Sequence, residues 1–187
     1  MHRLIIDSCF RSLGEAVQGL EFPNEIREAL ALVDVVYVSF DGGMHQGQVV
    51  IHKKLATDVR EIFALLLELR FPIARVIPII AYGWDDEASM AANNSSGFNY
   101  RVIAGTDRLS EHAKGLAFDL NPLQNPFIGK DGKISPAGAT YDPSVPGTIT
   151  KDGPVVALFK SKGWKWGGYW KKDYGILDYQ HFEKMNP

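Results

Sequence analysis

Ser110-Glu111-His112-Ala113-Lys114-Gly115-Leu116-Ala117-Phe118-Asp119 is the stretch on which the reading of this chain turns. A serine ahead of Glu and His can accept a hydrogen bond from a free amide of a first helical turn. Gly115 can take the left-handed backbone that ends such a turn. Beyond it, Leu116 to Leu120 reads as a strand, in which Ala117 and Asp119 share a face because side chains alternate. One turn of helix running straight into a strand belongs to a mixed fold, and it brings His112 and Asp119 together.

Working outward, Phe98 to Ala104 is expected to be a strand, Asp85 to Asn93 a short helix with acidic residues in its first turn, and Arg75 to Tyr82 a buried strand. Val59, Ile62, Phe63, Leu66 and Leu69 form an apolar stripe, so a helix capped by Thr57 is expected to end before Phe71-Pro72. Val35 to Phe40, the turn Asp41-Gly42-Gly43 and Gln48 to His52 read as a β-hairpin. A short helix from Asn24 to Leu32 follows Pro23. On the other side, Asn121 to Thr150 holds five Pro and four Gly with few apolar anchors, and is expected to be a surface loop able to line a site. Pro154 to Lys162 reads as a helix stopped by Gly163, and Ile176 to Phe182 as a final strand. The expected fold is α+β: a single small domain over residues 35–187 with a mainly antiparallel sheet and flanking helices. Residues 1–34 form an N-terminal extension packed on it or leading into it.

Composition narrows the function without naming it. The 187 residues suffice for one domain, and 45% hydrophobic with 22% charged residues excludes a disordered or fibrous chain. Twenty Lys plus Arg against 22 Asp plus Glu leave a formal net charge of -2, so no basic excess argues for nucleic acid or an anionic membrane. No window reaches the roughly 18 apolar residues of a membrane span. Met1 to Phe10 lacks the apolar core and cleavage site of a secretory signal, which leaves the location open. A monomer is the expected state. The lone Cys9 excludes an internal disulfide and any site built from several thiolates, so a metal would rest on His and carboxylate.

Chemistry concentrates in three places: Arg101 after Phe98-Asn99-Tyr100, the Ser110 to Asp119 run, and Asp178-Tyr179-Gln180-His181-Phe182-Glu183. A catalytic zinc takes three ligands from His and carboxylate and keeps a fourth position open, a set that His112, Asp119 and His181 can supply. A lone His or Asp beside a strand is more often a hydrogen-bonded structural residue, and residue types alone leave both readings open. His45 and His52 lie on the hairpin without ligand spacing and read as surface or satisfied histidines.

At this point the chain resembles a known family: the zinc peptidases that include D-alanyl-D-alanine carboxypeptidases, vancomycin-resistance D,D-dipeptidases and the L-alanyl-D-glutamate endopeptidases of phage endolysins. Ser110 to Asp119 matches S-x-H-x-x-G-x-A-x-D in full. Asp178, His181, Phe182 and Glu183 match its second half, and Gly163-Trp164-Lys165-Trp166-Gly167-Gly168-Tyr169-Trp170 is similar to the Gly-Trp-rich approach to the last ligand. Asp86 to Met90, Asn93-Asn94 and Phe98 to Arg101 also resemble relatives. The likeness runs from about Val35 to Pro187.

The resemblance implies that His112, Asp119 and His181 bind Zn2+, that Asp178 is the general base, and that Arg101 steadies the substrate or the developing oxyanion; the residue type alone fits a structural salt bridge for Arg101 equally well. Glu183 reads as orienting a ligand or making a salt bridge, and Ser110 and Trp166 are expected beside the substrate. Trp164, Trp166, Tyr169 and Trp170 would floor a groove or anchor the core. The implied fold is the α+β domain of these peptidases, shared with the Hedgehog signalling domain. The implied substrates are peptidoglycan stem peptides or muropeptides, cut as an endopeptidase or a carboxypeptidase. Aspartate at the base position leans toward the endolysin type. The alternative is an inactive zinc-holding module that binds a peptide or protein on the same scaffold.

Overall fold

The computed structural model describes residues 4–185 and 187. Expectations for Met1–Arg3 lie outside the described residues. The N-terminal third comprises β1 (Ile5–Ile6), α1 (Leu13–Ala16), α2 (Asn24–Ala29), β2 (Leu30–Val38), β3 (Met44–His52) and α3 (Ala56–Glu68). The middle adds β4 (Arg75–Val76), α4 (Asp86–Ala91), β5 (Asn94–Ser95), β6 (Ala117–Asp119), β7 (Phe127–Ile128) and β8 (Ile134–Ser135). The chain closes with α5 (Pro154–Ser161), β9 (Lys165–Trp166), α6 (Lys171–Tyr174), β10 (Leu177–Asp178) and β11 (His181–Glu183). The fold is α+β. Among the described residues no helix is long and apolar enough to cross a membrane.

In place of the one sheet expected, the strands of the described residues form four small ones. β2 and β3 pair antiparallel over their full length, with β1 parallel on the outer edge of β3. β11 lies between β6 and β9, antiparallel to both. β7 pairs antiparallel with β8 and β10, and β4 pairs parallel with β5. The apolar stripe of α3 (Val59, Ile62, Phe63, Leu66) packs on Val33, Val35, Tyr37 and Ile51 of the hairpin. The ring of Phe63 meets Phe118 of β6 edge-on at 5.7 Å, which joins the hairpin to the sheet that carries the site. Phe182 of β11 stacks on Phe159 of α5 at 3.8 Å from below. Each such buried side chain contributes about 1.5–3 kcal/mol.

Several local expectations give way to longer-range pairing. The helix after Pro23 stops at Ala29, because Leu30 to Val38 gains nine cross-strand partners that outweigh a weak helical preference. β2 therefore runs through position 34–35, the boundary expected between the extension and the domain. Ala16 and Val17 are fully buried in a second cluster with Leu30, Val50 and Phe98, and Phe22 packs on Phe98 and Tyr100 at 4.9 and 5.6 Å. The N-terminal segment thus supports from behind the loop that carries Arg101.

Arg75 to Tyr82 is strand only at its first two residues. Pro78 has no N–H to give a ladder, and Ile79–Tyr82 turns into a 3-10 helix after it. Phe98 to Ala104 forms no strand; its amides are spent on single partners, Phe98 on Val50 O at 2.8 Å and Asn99 on His112 O at 3.1 Å. Thr57 lies inside the first turn of α3, whose cap is Leu55. The 121–150 segment is closed at its base by two buried amides. Asn121 donates to Pro72 O at 2.8 Å, and Asn125 donates to Gly147 O at 2.9 Å and accepts from Ile149 N at 2.7 Å. Polar anchors thus hold a segment that has few apolar ones, and β7–β8 forms within the loop.

At the far edge of the hairpin His45 is buried between two carboxylates, 2.9 Å from Asp7 and 3.2 Å from Asp41. Tyr37 also donates to Asp7. Burial disfavours the imidazolium, but the two carboxylates outweigh it and raise the His45 pKa. A raised imidazole pKa stabilises the fold fully below about 6.5, and that stability is lost as pH rises through the folded value. The melting-temperature advantage of wild type over His45→Gln is therefore expected to shrink from about pH 6 to pH 9. An advantage that is constant across that range would show that His45 is not charged in the fold.

Candidate metal centre

Local chemistry builds the first ligand. Ser110 Oγ accepts from His112 N at 3.3 Å and caps a 3-10 turn, Glu111–Lys114, which Gly115 ends at φ +67°. The chain then enters β6, where Asp119 sits opposite His181 of β11 in register. All three side chains are buried, at 3%, 7% and 6% exposure for His112, Asp119 and His181. Four-per-turn spacing plays no part; two short elements and one cross-strand pair bring the three together.

Their donor atoms converge. His112 Nε2 lies 3.1 Å from His181 Nδ1 and 3.2 Å from Asp119 Oδ2, and His181 Nδ1 lies 3.0 Å from Asp119 Oδ1. Ligand atoms at zinc distances in a tetrahedron are roughly 3.3 Å apart, so the spacing fits a small four-coordinate cation. The outer nitrogens are held as well. His112 Nδ1 is 2.5 Å from Gly97 O, and His181 Nε2 is 3.4 Å from Glu183 Oε2. Carbonyl and carboxylate oxygens can only accept, so those outer nitrogens carry hydrogens, which leaves the inner nitrogens as the ones that can face a metal once they give up their own protons. Gly97 can offer its carbonyl because it lies hard against β3: a Cβ there would be 2.4 Å from Val50 O.

Electrostatics favour the same occupant. Burial pushes Asp119 up, yet His112 and His181 overcome it and hold the carboxylate far below its usual range. Burial disfavours a charged His181, but Asp119 and Glu183 reverse this and raise its pKa to about 10. Metal uptake must displace that proton, so affinity is expected to rise with pH. Glu183 is held below the usual carboxylate range, its burial outweighed by the His181 contact. Glu183→Gln is expected to lower zinc affinity about 10–100-fold without unfolding the protein, read by competition with a chelator. Unchanged affinity would show that Glu183 does not orient His181.

Asp178 and His181 belong to different strands. The run from Ile176 to Phe182, expected as one strand, breaks at Tyr179-Gln180, so β10 pairs with β7 while β11 pairs with β6. Two residues three apart would point to opposite sides of a regular strand; the break removes that conflict. Tyr179 holds the corner. Its carbonyl accepts from Trp166 Nε1 at 2.8 Å, and its ring stacks on Tyr141 of the long loop at 3.6 Å. Asp178 Oδ1 is buried without a protein partner. Burial pushes the Asp178 pKa up to about 6; His181 pulls it down, Asp119 pushes it up, and Arg101 pulls it down. A carboxyl poised near neutrality can accept or return a proton.

Arg101 is tied to Asp86 at 3.0 Å through Nη2, and the other oxygen of Asp86 accepts from Asn99 Nδ2 at 3.0 Å. Its Nε is buried and unpartnered, so the ion pair uses one edge of the guanidinium and leaves a donor over. Ser110 was expected beside the substrate; its hydroxyl is buried and committed to the cap of the His112 turn. Trp166 is buried in the core and, with Trp164, Tyr169 and Trp170, lines a cavity of about 420 Å³ that Glu183 also borders. Trp170 stands 5.1 Å from the His181 ring. The sequence assigns no role to Gly97 or to Gln180. A backbone carbonyl carries no side-chain signal, and an unpaired amide shows only once its surroundings are known.

Residues 104–184 match the family model described as D-alanyl-D-alanine carboxypeptidase. The match contains all three cluster residues and supports the zinc-peptidase family that the two motifs imply. No curated protein and no solved structure gave a significant match.

Proposed function

We propose that this chain, as a relative of the D-alanyl-D-alanine carboxypeptidases, is a zinc-dependent peptidase that hydrolyses peptidoglycan stem peptides on a Hedgehog-like α+β scaffold. The observation that carries the reading is the converging His112, Asp119 and His181 donor set with the unpartnered carboxyl oxygen of Asp178 beside it. His112 Nε2, Asp119 and His181 Nδ1 would hold the zinc. Zinc, when bound, supplies a Lewis acid that polarises a carbonyl and lowers the pKa of water to about 7.

The protein's own groups supply the rest. Asp178 takes the proton of the attacking water and returns it to the leaving amine. Arg101, anchored by Asp86, directs its spare donor edge to a carbonyl oxygen or carboxylate of the substrate, where negative charge gathers. Gly97 O and Glu183 keep both imidazoles in the tautomer that binds metal.

Among the bonds of a stem peptide, L-alanyl-D-glutamate is the favoured point of cleavage, supported by aspartate at the base position. Mass spectrometry of peptidoglycan digested with zinc, and with chelator as control, tests the reading. Zinc-dependent L-alanyl-D-glutamate cleavage is the expected result. Free D-alanine as the only product would replace the endopeptidase assignment with a carboxypeptidase. No product from zinc-loaded protein would overturn the peptidase reading in favour of a binding module.

A further inference from the structure

Four buried side-chain atoms among the described residues have no hydrogen-bond partner: Arg101 Nε, Thr148 Oγ1, Asp178 Oδ1 and Gln180 Oε1. Buried polar groups are nearly always satisfied, so each exception calls for a cause, a functional role among them. Arg101 and Asp178 already have work in the proposed mechanism. Gln180 does not. It is 3% exposed, and it occupies the break between β10 and β11 with the proposed base two residues before it and the ligand His181 directly after.

The surroundings of Gln180 place its amide against the helix that also anchors Arg101. Gln180 Nε2 touches Met90 Sδ at 3.4 Å. A thioether sulfur accepts but cannot donate, so the amide nitrogen faces Met90 and Oε1 faces away from it. Met90 follows Asp86 by four residues on α4, which puts both on one face of that helix. Asp86 is the residue that grips Arg101. The Gln180 amide and the Arg101 guanidinium therefore lie against adjacent positions of one helix face, one offering an acceptor and the other a donor. An apolar side chain could fill the place against Met90 without leaving an oxygen unpaired.

We infer that Gln180 is a substrate-binding residue whose Oε1 accepts the N–H of a backbone amide flanking the scissile bond, next to Arg101. The inference rests on the peptidase reading and adds to it the group that reads the peptide backbone. Neither Asp178 nor Asp119 can be spared for that contact, since one must move a proton and the other faces the imidazoles. Of the groups that a peptide presents, its backbone N–H is the donor a neutral amide oxygen complements.

The test uses zinc-loaded Asp178→Asn protein, expected to bind peptide but cut it roughly a hundredfold or more slowly, and a stem peptide in which each amide flanking the scissile bond is replaced in turn by an ester. The ester removes the N–H with little change of shape. One of the two esters is expected to bind about three- to tenfold more weakly than the parent peptide by calorimetry. In the Gln180→Met, Asp178→Asn protein the parent peptide should bind about three- to tenfold more weakly at unchanged zinc content, and the ester penalty should vanish. Equal binding by both proteins, or an ester penalty that persists without Gln180, overturns the inference. So does the absence of any ester penalty in Asp178→Asn protein alone, a result that does not depend on the Met variant folding. If wild type cuts the peptide while Gln180 proves indifferent, only this inference falls. If the parent peptide is neither bound nor cut, the peptidase reading falls with it.

Discussion

Purified His181→Ala protein is expected to retain less than stoichiometric zinc, and wild type to hold one ion per chain. His181 Nδ1 is one of three converging donors, 3.1 Å from His112 Nε2 and 3.0 Å from Asp119 Oδ1. The loss removes a ligand and also unties Glu183, which has His181 Nε2 as its partner two residues along the same strand. Partners of ligands alone are worth about 10–100-fold in affinity, so loss of the ligand itself should exceed about a hundredfold. The fold should survive, because Phe182 and the β6–β11 ladder hold the strand in place. Metal analysis after dialysis reads the result. Stoichiometric zinc at wild-type affinity in His181→Ala would remove His181 from the ligand set.

Asp178→Asn should keep zinc and lose hydrolysis by roughly a hundredfold or more, since an amide cannot accept the proton that a carboxylate takes. The same change should stabilise the metal-free protein. The Asp178 pKa stands at about 6 against an ordinary 3.8, chiefly because burial opposes its charge. A carboxyl raised in the fold weakens stability as pH climbs from the unfolded value through the folded one, and the full cost remains above about pH 6. Asparagine removes that cost, so in chelator the variant should melt above wild type at about pH 8 and lose the advantage below about pH 4. Activity lost with stability gained marks a site strained for function. Near-normal turnover in zinc-loaded Asp178→Asn would take Asp178 out of the mechanism, and a metal-free variant that melts below wild type at high pH would show the carboxyl to be structural.

Much of the site was legible because it is written in short spans. The Ser110 cap, the one-turn helix and the Gly115 stop depend on hydrogen bonds within six residues, and residue types alone imply them. The stripe of α3 and the Asp41-Gly42-Gly43 turn are equally local, and each forms where its pattern says. The identities of His112, Asp119 and His181 came from two motifs about sixty residues apart, whose meeting no local rule requires. Errors fell where a pattern had more than one outcome. Leu30 to Val33 suits the end of a helix or the start of a strand, and the partners supplied by β3 decide between them.

The amino-acid sequence by itself determined which residues could hold the metal and which turns present the first of them, because those choices rest on side-chain chemistry and on backbone bonds a few residues long. Only the tertiary structure decided how they are held. Alternation cannot say where a strand leaves one sheet for another, so the break at Tyr179-Gln180 appears only once β7 and β6 claim its two halves. The carbonyl of Gly97 that fixes His112, the grip of Asp86 on Arg101 and the unpaired oxygen of Gln180 depend on partners distant in the chain. So does the packing of Phe22 behind Tyr100. A hydrogen bond or an apolar contact forms between whatever groups the fold brings within reach, and that proximity is a property of the assembled core rather than of any segment within it.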